Sequence, residues 1–127
     1  MPRVLVVDSN VQTRSEIRTV LERAGHQVEE AGDGKVAIEL QEAHPFDLMI
    51  TEIFLPKKDG FETIVELRCT FPDLKILAMS DSDRGAPEPY LRAARLMGAS
   101  GSFAKPIAAD TLLQIVHDLL SSAQSKE

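Results

Sequence analysis

Four short apolar runs in this chain each stop at one polar side chain, and the four stops are of three chemical kinds. Residues 4–7 stop at Asp8, residues 48–51 at Glu52, residues 76–79 at Ser80, and residues 103–104 at Lys105, with Pro106 next. Runs of this length, alternating with stretches of helical periodicity, read as parallel strands buried on both faces. In an open α/β sheet the ligand site lies beyond the carboxyl ends of the strands. The pattern therefore brings two carboxylates, a hydroxyl and an ammonium to one rim. That set suits a divalent cation and a phosphoryl group.

The intervening segments fit the same architecture. Residues 3–7 form the first strand. Asn10 is placed to cap a helix whose apolar positions Ile17, Val20, Leu21 and Ala24 follow helical spacing, and Gly25 stands where a C′ glycine belongs. Residues 26–31 read as a half-polar strand at a sheet edge. Asp33-Gly34 is a turn, and 35–43 is a short helix expected to pack through Val36, Ala37 and Leu40. A third strand spans 47–51. The loop 56–60 is built from turn residues, and a helix follows over 61–70. The fourth strand is 75–79. The loop 81–89 holds two prolines and a glycine, long enough to read either as a partner-specific element or as a tolerated insertion. Residues 90–97 form a helix closed by Gly98, 101–104 a fifth strand, and 110–120 an amphipathic helix facing inward through Leu112, Leu113, Val116, Leu119 and Leu120. Right-handed crossovers then give a doubly wound α/β sheet with helices on both faces. The domain is expected over 1–121, with a polar, frayed tail at 122–127.

Composition narrows the function. A chain of 127 residues is one domain with room for a core, and its 43% apolar and 27% charged content is that of a soluble globular protein. A net charge of −6 argues against direct nucleic-acid binding, and the basic pair Lys57-Lys58 is too small to reverse that. The lone Cys69 has no internal disulfide partner and is expected as a buried or half-buried thiol. His26, His44 and His117 lack zinc-ligand spacing. No apolar stretch approaches the roughly 20 residues of a membrane span, and the first strand leaves no room for a signal peptide. A cytoplasmic location and no membrane contact are the expectation.

Five segments taken together carry a resemblance: Val-Leu-Val-Val-Asp at 4–8, Pro56 with Asp59-Gly60, Ser80 after the fourth strand, Gly98-Ala99, and Lys105-Pro106. Each alone is common; in this order, at these strand ends, they are specific. The chain resembles the receiver domain of bacterial two-component response regulators over essentially its whole length. The resemblance implies a five-stranded parallel sheet in the order 2-1-3-4-5, the flavodoxin-like (βα)5 fold. It also implies that Asp8 helps hold Mg2+ together with the residue at 52 and the backbone carbonyl of Phe54. Residue 52 would accept phosphate, Ser80 would hydrogen-bond the phosphoryl group, Lys105 would neutralise its charge, and the Lys105–Pro106 peptide bond would be cis.

Three positions depart from the family pattern. Receivers carry an acidic pair after the first strand, and here Asp8 is followed by Ser9, a neutral and poorer Mg2+ ligand. Weak or absent metal binding is expected. Receivers carry aspartate where this chain has Glu52. Glutamate can form an acyl phosphate, but one extra methylene moves the attacking oxygen by ~1.5 Å, and a misplacement of about 1 Å can cost ~10²-fold. The longer arm is instead expected to reach Lys105 or Ser80 and imitate part of a phosphorylated state, or merely to neutralise Lys105. The strand-five aromatic that often acts as a rotamer switch is Ser102 here, and Phe103 beside it alternates towards the core.

Two readings of different class follow. One is a single-domain phosphorelay receiver, not an enzyme in the ordinary sense, served by a histidine kinase or phosphotransfer protein, with phosphotransfer weak or absent. The other is a phosphorylation-independent interaction module, or an engineered Asp-to-Glu phosphomimic, on the same scaffold. Both place the downstream protein target on the fourth helix, fifth strand and fifth helix, and both leave a homodimer open. A small-ligand domain on the same architecture has no support, because no glycine-rich phosphate loop follows the first strand.

Overall fold

The computed structural model describes residues 1–81 and 87–124, and the side chains through residue 121. Five strands alternate with five helices: β1 (Arg3–Val7), α1 (Val11–Arg23), β2 (Gln27–Ala31), α2 (Gly34–Ala43), β3 (Leu48–Glu52), α3 (Gly60–Thr70), β4 (Lys75–Asp81), α4 (Glu88–Met97), β5 (Gly101–Lys105) and α5 (Ala109–Gln124). The sheet is parallel throughout, in the order β2-β1-β3-β4-β5. This is the doubly wound flavodoxin-like arrangement expected from the sequence, with β2 at an edge.

Alternation along the strands explains why their apolar runs are continuous. Leu5, Val7, Met49, Ile76 and Ala78 pack with Ile38 of α2, Ile64 and Leu67 of α3, and Leu91 and Ala94 of α4. Val4, Val6, Leu48, Ile50, Leu77 and Met79 pack on the other face with Ile17 and Leu21 of α1 and Leu112 and Val116 of α5. Both faces are covered, so no strand position in β1 or β3 except the terminal Arg3 can be polar without a partner. Phe103 joins the α1/α5 cluster, as its parity requires.

Local chemistry sets the helix starts. Asn10, Asp33 and Asp59 each accept a bond from the backbone amide three residues on, Thr13, Val36 and Glu62 respectively. Gly25, with φ of +95°, follows the α1 cap in the left-handed region.

Several boundaries and faces differ from the sequence reading, each for a visible reason. β3, β4 and β5 extend to Glu52, Asp81 and Lys105, because the polar residues that end the apolar runs still pair along the ladder. Helix α2 starts at Gly34, and its inward face is Gly34, Ala37, Ile38 and Gln41, leaving Val36 exposed. The rotation follows from Gly34, which presses against the backbone of Lys58 and the side chain of Thr63 where a Cβ has no room. Cys69 is exposed, two residues beyond the inward Leu67 and therefore on the opposite side of α3. Helix α4 begins at Glu88 and not Tyr90, with Pro87 before it; residues 82–86 of the expected long loop lie outside the described residues. Helix α5 continues to Gln124, so residues 122–124, expected in the tail, are helical; 125–127 lie outside the described residues.

Gly60 shows how tightly this scaffold closes on β3. A Cβ there would lie 2.5 Å from the Glu52 carbonyl oxygen and 2.7 Å from the Ile53 Cα, both backbone atoms that cannot swing away. Gly32 faces only the tip of the flexible Arg14 side chain at 3.5 Å. Gly60→Ala is expected to lower unfolding free energy by ~1–3 kcal/mol, as overpacking does, while Gly32→Ala changes it by less than ~0.5 kcal/mol. Urea denaturation of both variants checks this, and equal effects would contradict it.

Candidate functional site

The strand order places the carboxyl ends of β1, β3, β4 and β5 side by side, and the four polar stops meet there. Asp8, Glu52, Ser80 and Lys105 are all buried at this rim of the sheet. The centre is the Lys105 ammonium. Its Nζ lies 2.7 Å from Asp8 Oδ2 and 2.6 Å from Glu52 Oε1, with Asp81 Oδ2 farther out at 3.7 Å. Burial works against the charged form of Lys105, but hydrogen bonds to Asp8 and Glu52 and the charges of both outweigh it. The lysine is held above its ordinary pKa.

The remaining carboxylate oxygens are also engaged. Asp8 Oδ1 accepts from the Asn10 amide at 2.9 Å. Glu52 curls back over its own chain, and its Oε2 accepts from the amides of Ile53 at 2.7 Å and Phe54 at 3.2 Å. The extra methylene of glutamate makes this turn-back reachable. Of the two targets expected for the longer arm, Glu52 meets Lys105 and not Ser80. The Ser80 hydroxyl is buried, with no hydrogen-bond partner among the described residues. Formally, two carboxylates face one ammonium in this buried group, so it keeps one negative charge before Asp81 is counted.

Ser9 is exposed in the turn after Asp8, outside these contacts. Phe54 stands at the mouth of the site, half-buried, its amide on Glu52 and its ring edge-on to Tyr90, with centroids 5.0 Å apart at 78°. Ser102 lies away from the buried charges. Its hydroxyl accepts from Arg95 Nη1, and Arg95 Nη2 donates to Glu88 Oε1 at 2.7 Å. The Lys105–Pro106 bond is cis. Pro106 and Ile107 line a groove of about 220 Å3 with Thr13, Ile17 and Val20 of α1. A larger cavity, about 630 Å3, lies at the opposite end of the strands beside Phe46, Phe71 and Leu120, far from these charges. Here buried titratable groups mark the site better than volume does.

Sequence reasoning missed three contributors. Arg14 donates from Nη1 to the Asp8 carbonyl at 2.6 Å and from Nε to Glu30 Oε1 at 3.0 Å, tying α1 and β2 to the end of β1. Asp81 falls in the loop expected at 81–89, yet it extends β4 opposite Lys105. Tyr90 sits in α4, and nothing in its sequence neighbourhood points at Phe54. For Arg14 alone there was a signal, its place on the Asp8 side of α1.

Mg2+ demands near-octahedral oxygen ligation at about 2.0–2.1 Å. Of the expected ligands, the Asp8 and Glu52 carboxylates meet at this rim, Ser9 is exposed outside it, and the ammonium already bridges the two carboxylates. Among the described residues no group of three or more His, Cys, Asp or Glu side chains is arranged to hold a metal. The donor set fits Mg2+ poorly.

Removing one member of a buried charge group strands the others. Lys105→Met is expected to cost ~3–5 kcal/mol by leaving Asp8 and Glu52 facing each other, and adding Glu52→Gln is expected to recover part of that loss. Because the folded pKa of Lys105 lies above its usual 10.5, its contribution is complete below that pH and is lost as pH rises through the folded value. Urea midpoints of the parent and Lys105→Met should keep a constant gap between about pH 7 and pH 10 and converge above it. A gap that closes near neutrality would refute the assignment.

A family model described as the response regulator receiver domain matches residues 4–117. The response regulator MprA of Mycolicibacterium vanbaalenii is 34% identical over 119 residues, 93% of this chain and 50% of that protein. MprA of Mycobacterium avium is 32% identical over 126 residues, 98% of this chain and 54% of that one. The chain thus spans about half the length of the curated relatives it matches. Among solved structures, the chemotaxis response regulator CheY4 of Vibrio cholerae superposes with a TM-score of 0.83 at 29% identity, covering 94% of this chain and 98% of that one. NtrX of Brucella abortus in complex with ATP gives a TM-score of 0.89 at 27% identity, over 98% of this chain and 28% of that one. With the fold, the strand-end residues and a family match over nine-tenths of its length, this chain belongs to the response regulator receiver domains of two-component signalling.

Proposed function

We propose that this receiver domain serves two-component signalling with its phosphoacceptor site already charged and filled by its own Glu52, so that phosphoryl acceptance is weak or absent. The observation that carries this reading is the double engagement of the Glu52 carboxylate. One oxygen is on the Lys105 ammonium and the other on two backbone amides, and these are the donors an incoming phosphoryl group would need. A nucleophile whose oxygens are held this way must give up a buried ion pair or two amide bonds before it can attack in line. Glu52 at the phosphoacceptor position, Lys105 as charge partner and Ser80 as the unengaged hydroxyl make the imitation of a phosphorylated site partial. The charge reaches Lys105, and Ser80 is left without its share.

Receiver domains generally bind Mg2+ at the phosphorylation site. In this chain Asp8, Glu52 and the Phe54 carbonyl would supply the ligands, and the neutral Ser9 together with the ammonium bridge supports weak binding. The partners in this reading are a histidine kinase or phosphotransfer protein, and a downstream protein bound at α4, β5 and α5. The exposed Tyr90, Leu96 and Met97 of α4 support that face. No helix of the described residues is long and apolar enough to cross a membrane.

Intact-protein mass spectrometry after incubation with a small acyl phosphate and Mg2+ tests the reading. The parent is expected to gain one phosphoryl mass ~10²-fold more slowly than Glu52→Asp, or not at all. Fast gain by the parent, lost in Glu52→Gln, would show that Glu52 is a working acceptor. No gain by Glu52→Asp either would shift the cause to Ser9 and the metal ligands, and favour a phosphorylation-independent interaction module.

A further inference from the structure

We infer that Tyr90 is a positioning residue for the Glu52 site, and that the Phe54–Tyr90 ring pair couples the state of residue 52 to α4. The inference rests on the reading that Glu52 engages its own loop, and it adds the route by which that engagement is felt outside the site.

The contacts form a short continuous chain. Glu52 Oε2 holds the Phe54 amide at 3.2 Å and the Ile53 amide at 2.7 Å, which sets the backbone at the start of the β3–α3 loop. The Phe54 ring leaves that backbone and meets Tyr90 edge-on, 5.0 Å between centroids. Tyr90 is the third residue of α4. The Gly60 amide donates to the Ile53 carbonyl at 2.7 Å and closes the loop that carries Phe54, which limits movement at Ile53. At the other end, α4 is tied to β5 by Arg95, which reaches both Ser102 and Glu88. A change at Glu52 therefore moves Phe54 against a ring that belongs to the helix presenting Leu96, 80% exposed, and Met97.

The usual alternative route, an aromatic side chain in β5, is not available to this chain. Position 102 is a serine held by Arg95, and Phe103 is packed into the opposite face of the sheet. Ser80, the other group at the rim that faces the α4 side, makes no hydrogen bond among the described residues through which a change at Glu52 could pass. Because coupling is reciprocal, a protein that covers Tyr90 would in turn alter how firmly Glu52 is held. An edge-on aromatic pair supplies enough preference to shift the ratio of engaged to disengaged Tyr90 by roughly two- to tenfold.

Tyr90 is the only tyrosine of a chain without tryptophan, so its intrinsic emission reports this one ring. Emission intensity and acrylamide quenching are measured on the parent, Glu52→Ala, Phe54→Leu and the double variant, with far-UV circular dichroism confirming the fold of each. Glu52→Ala removes the acceptor of both amides, and it is expected to change Tyr90 emission and raise its quenching. With leucine at position 54 the same change at residue 52 is expected to have no further effect. A Tyr90 signal unmoved by Glu52→Ala would overturn the inference, and so would one moved equally with and without the Phe54 ring. If Phe54→Leu does not fold, Phe54→Met takes its place, since a flexible unbranched chain fills the same space without a ring. The mass measurement on Glu52 uses none of these signals. Fast phosphorylation of the parent would refute the filled-site reading and leave the coupling to be judged by emission alone.

Discussion

One ammonium group organises this protein's functional end. Lys105 is the last residue of β5, Asp8 follows β1, and Glu52 ends β3, so the contacts at 2.7 and 2.6 Å join strands one, three and five of the chain across the rim. An unpaired lysine in that position would be expelled or neutralised, because burial penalises the charged form. Here two carboxylates hold it charged, and it in turn makes their burial tolerable. The surroundings serve this trio: the Asn10 amide steadies Asp8, the Ile53 and Phe54 amides steady Glu52, and Arg14 anchors the chain at Asp8 from α1.

Much of this was legible before any coordinates. A parallel sheet covered on both faces demands continuous apolar strands, and such strands admit polar residues only where they leave the core. Reading where each run ended was therefore enough to find Asp8, Glu52, Ser80 and Lys105 and to place them together. Polarity decides that much, and it is written in single residues. What could not be read depends on where side chains point after packing. Val36 faces out because Gly34 seats α2 directly on the Lys58 backbone, a close approach that no periodicity of α2 encodes. Cys69 was misjudged for the same kind of reason, since the register of α3 is set by Ile64 and Leu67 and not by the thiol. The Phe54–Tyr90 pair joins residues 36 apart, one in a loop and one in a helix, and only the third dimension brings them together.

Two of the three departures from the family pattern, Ser9 and Glu52, act on the same quantity, the balance of charge. Replacing an acid with Ser9 removes one negative charge and one anionic ligand, while Glu52 keeps its charge, with one oxygen 2.6 Å from Lys105. A site with fewer anionic ligands has less need of a divalent cation, and the ammonium takes over part of the neutralisation. The changes are thus physically consistent with each other.

The difference between aspartate and glutamate at position 52 is then one of competition rather than chemistry. Both are carboxylates, and both can in principle take a phosphoryl group. The longer side chain can fold back onto the amides that follow it while still touching Lys105, and each contact it makes is one a bound phosphoryl group would have to displace. Those contacts are charge-assisted and lie in a buried setting, where such bonds are strong and their loss is costly. The Ser80 hydroxyl shows the limit of the substitution: a carboxylate has two oxygens, both already committed, and a phosphoryl group would bring three. On the proposed reading, Glu52 supplies only part of the charge of a phosphorylated site, and the Ser80 hydroxyl, buried without a hydrogen-bond partner among the described residues, is what that partial substitution leaves over.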